Sequence, residues 1–246
     1  MKKPFVIIGG LVALGVIGVA ALVVVFVLRS DDANLKTEAP AIPTASSGTP
    51  AASSTASSSD ASLPAGTLHF VIDATAGVPL EVKYVVKETL RGIADSQAVG
   101  TTNAITGDLY LTPAGLAAGV QSKFVVDLTK LKTDESQRDN YVRQNVLQTG
   151  RFPNAEFVVE SISPFPANYV EGTEVSLTMS GTLTLHGVSK KVDWAVKARR
   201  QGKALTGIAD LSFNMSDFGI QPPEVPIAKA QDGVKLQMTI AATQKN

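Results

Sequence analysis

Across 246 residues, 22 Lys and Arg are matched by 22 Asp and Glu, so the chain has no surplus of cations to exchange for the counterions of a nucleic acid, and no Lys/Arg stripe interleaved with aromatics stands out. The absence of cysteine excludes disulfides, thiolate zinc sites and thiol catalysis, and two histidines, His69 and His186, are too few for a His-rich metal cluster. No nucleic-acid partner and no metal are expected.

In chain order, the first element is an apolar run that begins at Phe5 and closes at Leu28, with no charge between Lys3 and Arg29. As a helix it is long enough to cross the hydrocarbon core of a bilayer. A cleaved signal peptide is the alternative, but it calls for a shorter apolar region ending in an A-x-A-like site, which this run lacks. Residues 1–29 are therefore expected to be a transmembrane anchor. Lys2 and Lys3 favour a cytoplasmic N-terminus, which places the rest of the chain on the periplasmic or extracellular side of the cell membrane. Residues 30–66, rich in Ala, Ser, Thr and Pro, have almost nothing to bury and are expected to be a disordered linker, with a typical end-to-end distance of about 30 Å.

From residue 67 to 246 the pattern has period two. Val82, Tyr84 and Val86 oppose Lys83, Val85 and Lys87. Phe124, Val126 and Leu128 oppose Val125 and Asp127, and Phe157 and Val159 oppose Glu156 and Glu160. The same alternation sets Leu177, Met179 and Leu183 against Thr178 and Thr184, and Trp194 and Val196 against Asp193 and Lys197. It continues with Leu211 and Phe213 against Ser212 and Asn214, and with Val234, Leu236, Met238 and Ile240 against Gln237 and Thr239. With "TLHFVID" and "AVGTTNAITGDLYL", about eight or nine strands are expected, each with one wet face. Short polar turns make them hairpins and meanders, and a closed meander is a barrel that removes exposed edges. A sandwich would show the same alternation.

Between the strands, "SQRDNYVRQNVLQTGRFPNAEF" (136–157) has helical spacing. Asp134 or Ser136 can cap it, Gly150 can end it and Pro153 cannot continue it. Its apolar residues Tyr141, Val142, Val146 and Leu147 suit a lid across a barrel end, with Arg138 either contacting a ligand's polar head or pairing with a neighbouring carboxylate.

The stretches "YVVKETL" (84–90), "AVGTTNAITGDLYL" (98–111), "VVDLTKLKTDESQRD" (125–139), "RFPNAEF" (151–157), "GTLTLHGVSKKVDWAV" (181–196) and "DFGI" (217–220) resemble, in order and over nearly the whole domain, the YceI-like family of lipid- and polyisoprenoid-binding proteins. The resemblance implies an all-β, up-and-down, lipocalin-like antiparallel barrel with one helix at a barrel end and a tunnel for an isoprenoid or similar acyl chain. Many members follow "RD" with "xHL", whereas here Tyr141 stands at the histidine position. The inward-phase residues are the candidate tunnel lining: Val82, Tyr84, Val86, Phe124, Val126, Phe157, Val159, Leu177, Met179, Leu183, Trp194, Val196, Leu211, Phe213 and Met238. Arg138, Tyr141, Val142 and His186 are candidates for the head group or lid. Gly181, Gly207, Ala198 and Ala209 share the inward phase and are expected to leave gaps opposite Trp194 and Phe213.

Two other readings stay open. His186 with Ser189 and Asp193 suggests a nucleophile and base, but there is no G-x-S-x-G elbow and these residues flank a strand turn. "GTTNAITG" lacks the lysine and helix of a phosphate loop, and "DFG" at 217–219 lacks every other kinase element. A solid barrel used as a scaffold or adhesion module shows the same alternation as a hollow one. The reading adopted is a membrane-tethered lipid carrier with no catalytic residue and no cofactor beyond a bound isoprenoid, quinone or fatty-acyl chain.

Overall fold

The computed structural model describes residues 34–43, 63–74, 77–90, 95–225 and 228–245. Within them the period-two segments become antiparallel strands: β1 (Leu68–Ile72), β2 (Glu81–Leu90), β3 (Asp95–Thr102), β4 (Ile105–Thr112), β5 (Gly115–Leu116), β6 (Lys123–Asp127), β7 (Asn154–Ser163), β8 (Val175–Leu185), β9 (Val188–Gln201), β10 (Ala204–Asn214), β11 (Glu224–Val225) and β12 (Ala228–Gln244).

Eight of these form the ring β1-β4-β6-β7-β8-β9-β10-β12, closed where Phe70, Val71 and Ile72 of β1 pair with Gln244, Thr243 and Ala242 of β12. The ring strands follow chain order, so the wall is a meander. β2 and β3 form a hairpin that departs from it: β2 pairs with β12 below the β1 contact, over Ala228 to Thr239, with a register shift between Ala230 and Val234. One edge of the 17-residue β12 is thus shared between β1 and β2. The stretch expected as one strand at 98–111 is two, β3 and β4, because the chain turns at Asn103 and Ala104, where Thr102 Oγ1 accepts from the Ala104 N–H at 3.1 Å.

The ring's inner face is a single apolar cluster running from Phe70 on β1 through Phe124, Phe157, Trp194 and Met238 to Ala242. On β8, Met179, Leu183 and Leu185 are buried while the alternate residues are only partly covered, as the strand period requires. One end of the barrel is covered by the 128–153 connection, the His186–Gly187 turn and a 3-10 turn at Met215–Phe218.

The linker expectation is corrected in part. Residues 34–43 lie along the outer wall, and Ala39 is buried. Composition did not announce this order because the wall, not the segment, supplies the polar partners. For the same reason the outer phase of β10 and β12 is not wet there: Thr206, Gln237 and Thr239 are fully buried and bond to that segment. The expected membrane span, at residues 5–28, lies outside the described residues. Among the described residues no helix is long and apolar enough to cross a membrane.

Candidate functional site

All fifteen candidate lining residues belong to the one inner cluster, either buried in it or packed against it. Sequence reasoning missed its contributions from β1 and β4, namely Phe70, Ile105 and Leu109, and Ile220 at its floor, whereas Met215, in phase with Leu211 and Phe213, and Phe218, read as tucked inward at the strand's end, do lie in it. Alternation in "LHFVI" and "ITGDL" carried the signal for the first three. Ile220 follows a non-periodic turn and carried none.

How the aromatic rings lie decides the shape of this interior. Tyr84 pairs across strands with Gly100, and a Cβ built on Gly100 would come within 2.2 Å of the Tyr84 ring. Phe124 faces Gly107 in the same way, with 2.6 Å to the imagined Cβ. Gly181 is covered by Phe157 from the neighbouring strand, the ring standing 2.9 Å from where a Cβ would be. The expected gap at Gly181 is therefore corrected: the ring fills it. Each glycine leaves space on the inner face that a neighbouring ring occupies.

A polar cluster sits where the β2–β3 hairpin meets the 128–153 connection. The helix α1 (Ser136–Tyr141) is capped by the Glu135 side chain, which accepts from the Gln137 N–H, and it continues as a π-helical turn over Val142–Val146. The expected cap Asp134 is used otherwise: its Oδ1 accepts from Arg138 Nη1 at 2.5 Å. The turn ends through Gln148 in the left-handed region (φ 48), two residues before Gly150. Arg138 is buried, and Val146 and Leu147 pack on the cluster. Tyr141 is exposed, so it does not belong to the covering face, and Val142 is half-buried outside the cluster. The covering face is displaced because Arg138 turns inward to pair.

Burial pushes the Tyr84 hydroxyl well above the usual phenol range; the Arg138 guanidinium opposes this, while Asp139, Glu88 and Asp134 add to it. Burial likewise raises the Glu88 carboxyl, against the lowering by Arg138 and by the Ser96 hydroxyl, which donates to Glu88 Oε2 at 3.4 Å. Both guanidinium groups of this cluster are held by carboxylates of the connection itself, Arg138 by Asp134 and Arg143 by Asp139 at 4.0 Å, which makes it a poor host for an anionic head.

At the other candidate, His186 takes φ 52 in the β8–β9 turn, beside Gly187 at φ 76. Its ring packs on Phe152 with centroids 4.7 Å apart, and its Nε2 is buried without a hydrogen-bond partner. Ser189 bonds Thr184, and Asp193 accepts from Ser180, so the three residues are not brought together as a catalytic set. Among the described residues no group of three or more acidic or histidine side chains is placed to hold a metal ion.

A family model described as a YceI-like domain matches residues 51–242. A UPF0312 protein of Pseudomonas putida is 30% identical over 111 residues, covering 42% of this chain and 54% of that protein. The chain thus spans about half the length of that relative. A UPF0312 protein of Vibrio campbellii is 23% identical over 188 residues, 74% of this chain and 90% of that one. Among solved structures, BcnA of Burkholderia cenocepacia aligns with a TM-score of 0.54 at 19% identity, over 70% of this chain and 99% of that one. A polyisoprenoid binding domain from Saccharophagus degradans aligns with a TM-score of 0.55 at 17% identity, over 72% and 99%. At these identities the likeness is one of fold.

Proposed function

The chain belongs to the YceI-like family, and from that premise we propose that its barrel is a membrane-tethered, extracytoplasmic binding protein that sequesters or carries a polyisoprenoid or similar long apolar chain without changing it chemically. The observation that carries this is the set of aromatic rings packed into the space left by glycines on neighbouring strands, Tyr84 on Gly100, Phe124 on Gly107 and Phe157 beside Gly181. Rings that settle into the space over a glycine take up room next to the strands rather than at the centre, which favours a lumen. Tyr84 supports the same reading. The protein around it pushes its hydroxyl far up, yet the side chain keeps accessible surface, which suits a group bordering an internal space.

A lumen lined by Leu, Val, Met and Phe gains roughly 0.8 kcal/mol for each ligand CH₂ removed from water. Affinity then grows with chain length, and charged recognition is unnecessary. The Saccharophagus degradans domain, described as polyisoprenoid binding, fits this chemistry, and the engagement of Arg138 and Arg143 by Asp134 and Asp139 favours a neutral head over a phosphate. The tether is read from the uncharged run at residues 5–28.

The test compares two neighbours on β8. Leu183 is 4% exposed within the inner cluster, and Thr182 faces out, donating to Glu160 at 2.7 Å. Organic extraction of the purified wild-type protein is expected to yield a stoichiometric apolar chain. Thr182→Arg should retain it and a folded Leu183→Arg should lose it, because the cation is placed on the chain's path. No extractable chain in wild type, together with no uptake of added long-chain isoprenoid or fatty acid, overturns the proposal in favour of a solid barrel.

A further inference from the structure

Three polar side chains on the outer wall are covered as completely as core residues: Thr206, Gln237 and Thr239 are 0, 2 and 1% exposed. Each directs its hydrogen bonds to one segment. The Gln237 amide accepts from the Lys36 backbone N–H at 2.7 Å and donates to the Lys36 carbonyl at 2.8 Å, pairing as the peptide group of an adjacent strand would. Its Nε2 also donates to Asp210 Oδ1 at 2.8 Å, which fixes the orientation of the amide. Thr206 Oγ1 donates to the Pro40 carbonyl at 2.7 Å, and Thr239 Oγ1 accepts from Lys36 Nζ at 2.9 Å.

The flanks of this groove are built as well. Glu174, itself 3.4 Å from Arg199, accepts from the Ala39 N–H at 2.8 Å, and Lys197 donates to the Thr37 carbonyl. Ala39 is 4% exposed, and the Pro43 ring lies where a Cβ on Gly77 would come within 2.5 Å of it. Small size at Ala39 and the absence of a side chain at Gly77 are therefore requirements of the fit.

We propose that this wall is a docking groove for the chain's own residues 34–43, and that the docked strap sets how far the barrel stands from the membrane. The second half of the proposal rests on the anchor reading above. Five residues separate Leu28, the end of the apolar run, from Asn34. Even fully extended, that stretch reaches only about 20 Å. With the strap released, residues 29–66 act as a single tether whose typical span is about 30 Å and whose limit is about 130 Å. The strap is thus a clasp on the leash: closed, it holds β10 and β12 beside the bilayer; open, it lets the barrel range. The strap's covalent link to β1 gives it an effective concentration of order millimolar, which favours it over the same segment of a second copy.

The full-length chain in lipid nanodiscs tests both halves. Hydrogen exchange is expected to show the Lys36 and Ala39 amides exchanging at least about 100-fold more slowly than in the free 34–43 peptide. Ala39→Arg, which alters the strap and leaves the barrel wall intact, should abolish that protection while barrel amides keep theirs. A fluorophore attached through Thr182→Cys, the sole thiol in the chain, should then lose energy transfer to an acceptor in the bilayer. Peptide-like exchange at Lys36 and Ala39 in the wild type overturns the docking groove. Strap protection that responds to Ala39→Arg with unchanged energy transfer overturns the leash. A chain that does not remain with the disc refutes the anchor reading and the leash together, and the exchange data from the same sample still judge the groove.

Discussion

Gly100→Ala is the sharpest probe of the interior. The new methyl would stand 2.2 Å from Tyr84 Cε1, 2.6 Å from Cζ and 2.9 Å from the hydroxyl, where ordinary contact begins at 3.4 Å. The ring must retreat by roughly 1.2 Å, and because all three atoms belong to a side chain it can do so, off the wall and into the interior. Two terms nearly cancel in stability: about 0.4–1 kcal/mol gained from the stiffer unfolded chain and about 0.5–1.5 kcal/mol lost to an off-rotamer ring. Binding has no such compensation. A ring that displaces about three methylenes of a bound chain removes about 2.4 kcal/mol, or roughly 50-fold in Kd. Trp194, the chain's one tryptophan and 2% exposed in the inner cluster, serves as reporter: its emission is titrated with a brominated long-chain alcohol, with melting followed in parallel. Weakened quenching at unchanged Tm is expected, and replacing Tyr84 by Val in the same variant should restore affinity. Wild-type affinity in a folded Gly100→Ala protein would falsify the claim that rings on the wall keep a chain's path clear.

Gly181→Ala should behave oppositely, because its methyl would meet the Val158 carbonyl oxygen at 2.1 Å and main chain cannot swing aside; a loss of about 3 kcal/mol or more in urea unfolding is expected, and a loss below about 1 kcal/mol contradicts the close strand approach. Glu88, whose carboxyl burial raises from 4.5, stabilises the fold fully only below that ordinary value, and this contribution is lost as pH rises through its higher folded pKa. Glu88→Gln is therefore expected to melt above the wild type near pH 7, with the difference shrinking toward pH 4; a pH-independent difference would contradict it.

The inner wall was readable in the sequence because its strands are long and one-sided. β8 announces its inward residues through simple alternation, β12 does so from Val234 to Ile240 while Ala230 and Ala242 went unread, and all fifteen candidate positions fall in one cluster. β3 was not separable from β4, since "DSQAVGTT" presents only small residues where Tyr84 and Val86 need room across the strands. Arg138 shows both reach and limit in the helical connection: its pairing with a neighbouring carboxylate was legible and is made with Asp134, but its burial was not, nor the exposure of Tyr141. The strap was invisible for a different reason. Its order resides in Gln237 and Thr206, some two hundred positions away in sequence, and local composition carries no trace of partners that distant.

The shared edge of β12 also governs the order of assembly. Phe70 meets Gln244 and Val86 meets Val234, so both the ring and the β2–β3 hairpin wait for the same late strand, across nearly the full length of the domain. Until it arrives, β1, β2 and β10 are paired on one edge only, to β4, β3 and β9, and the strands can form only a curved open sheet with its apolar face toward water. Loop closure over such separations is slow, and exposed edges of this kind invite pairing with other chains. The polypeptide is synthesised N-terminus first, so its most aggregation-prone interval comes just before Ala228 emerges, and holdase assistance at that stage, rather than extra stability in the finished barrel, would protect its yield.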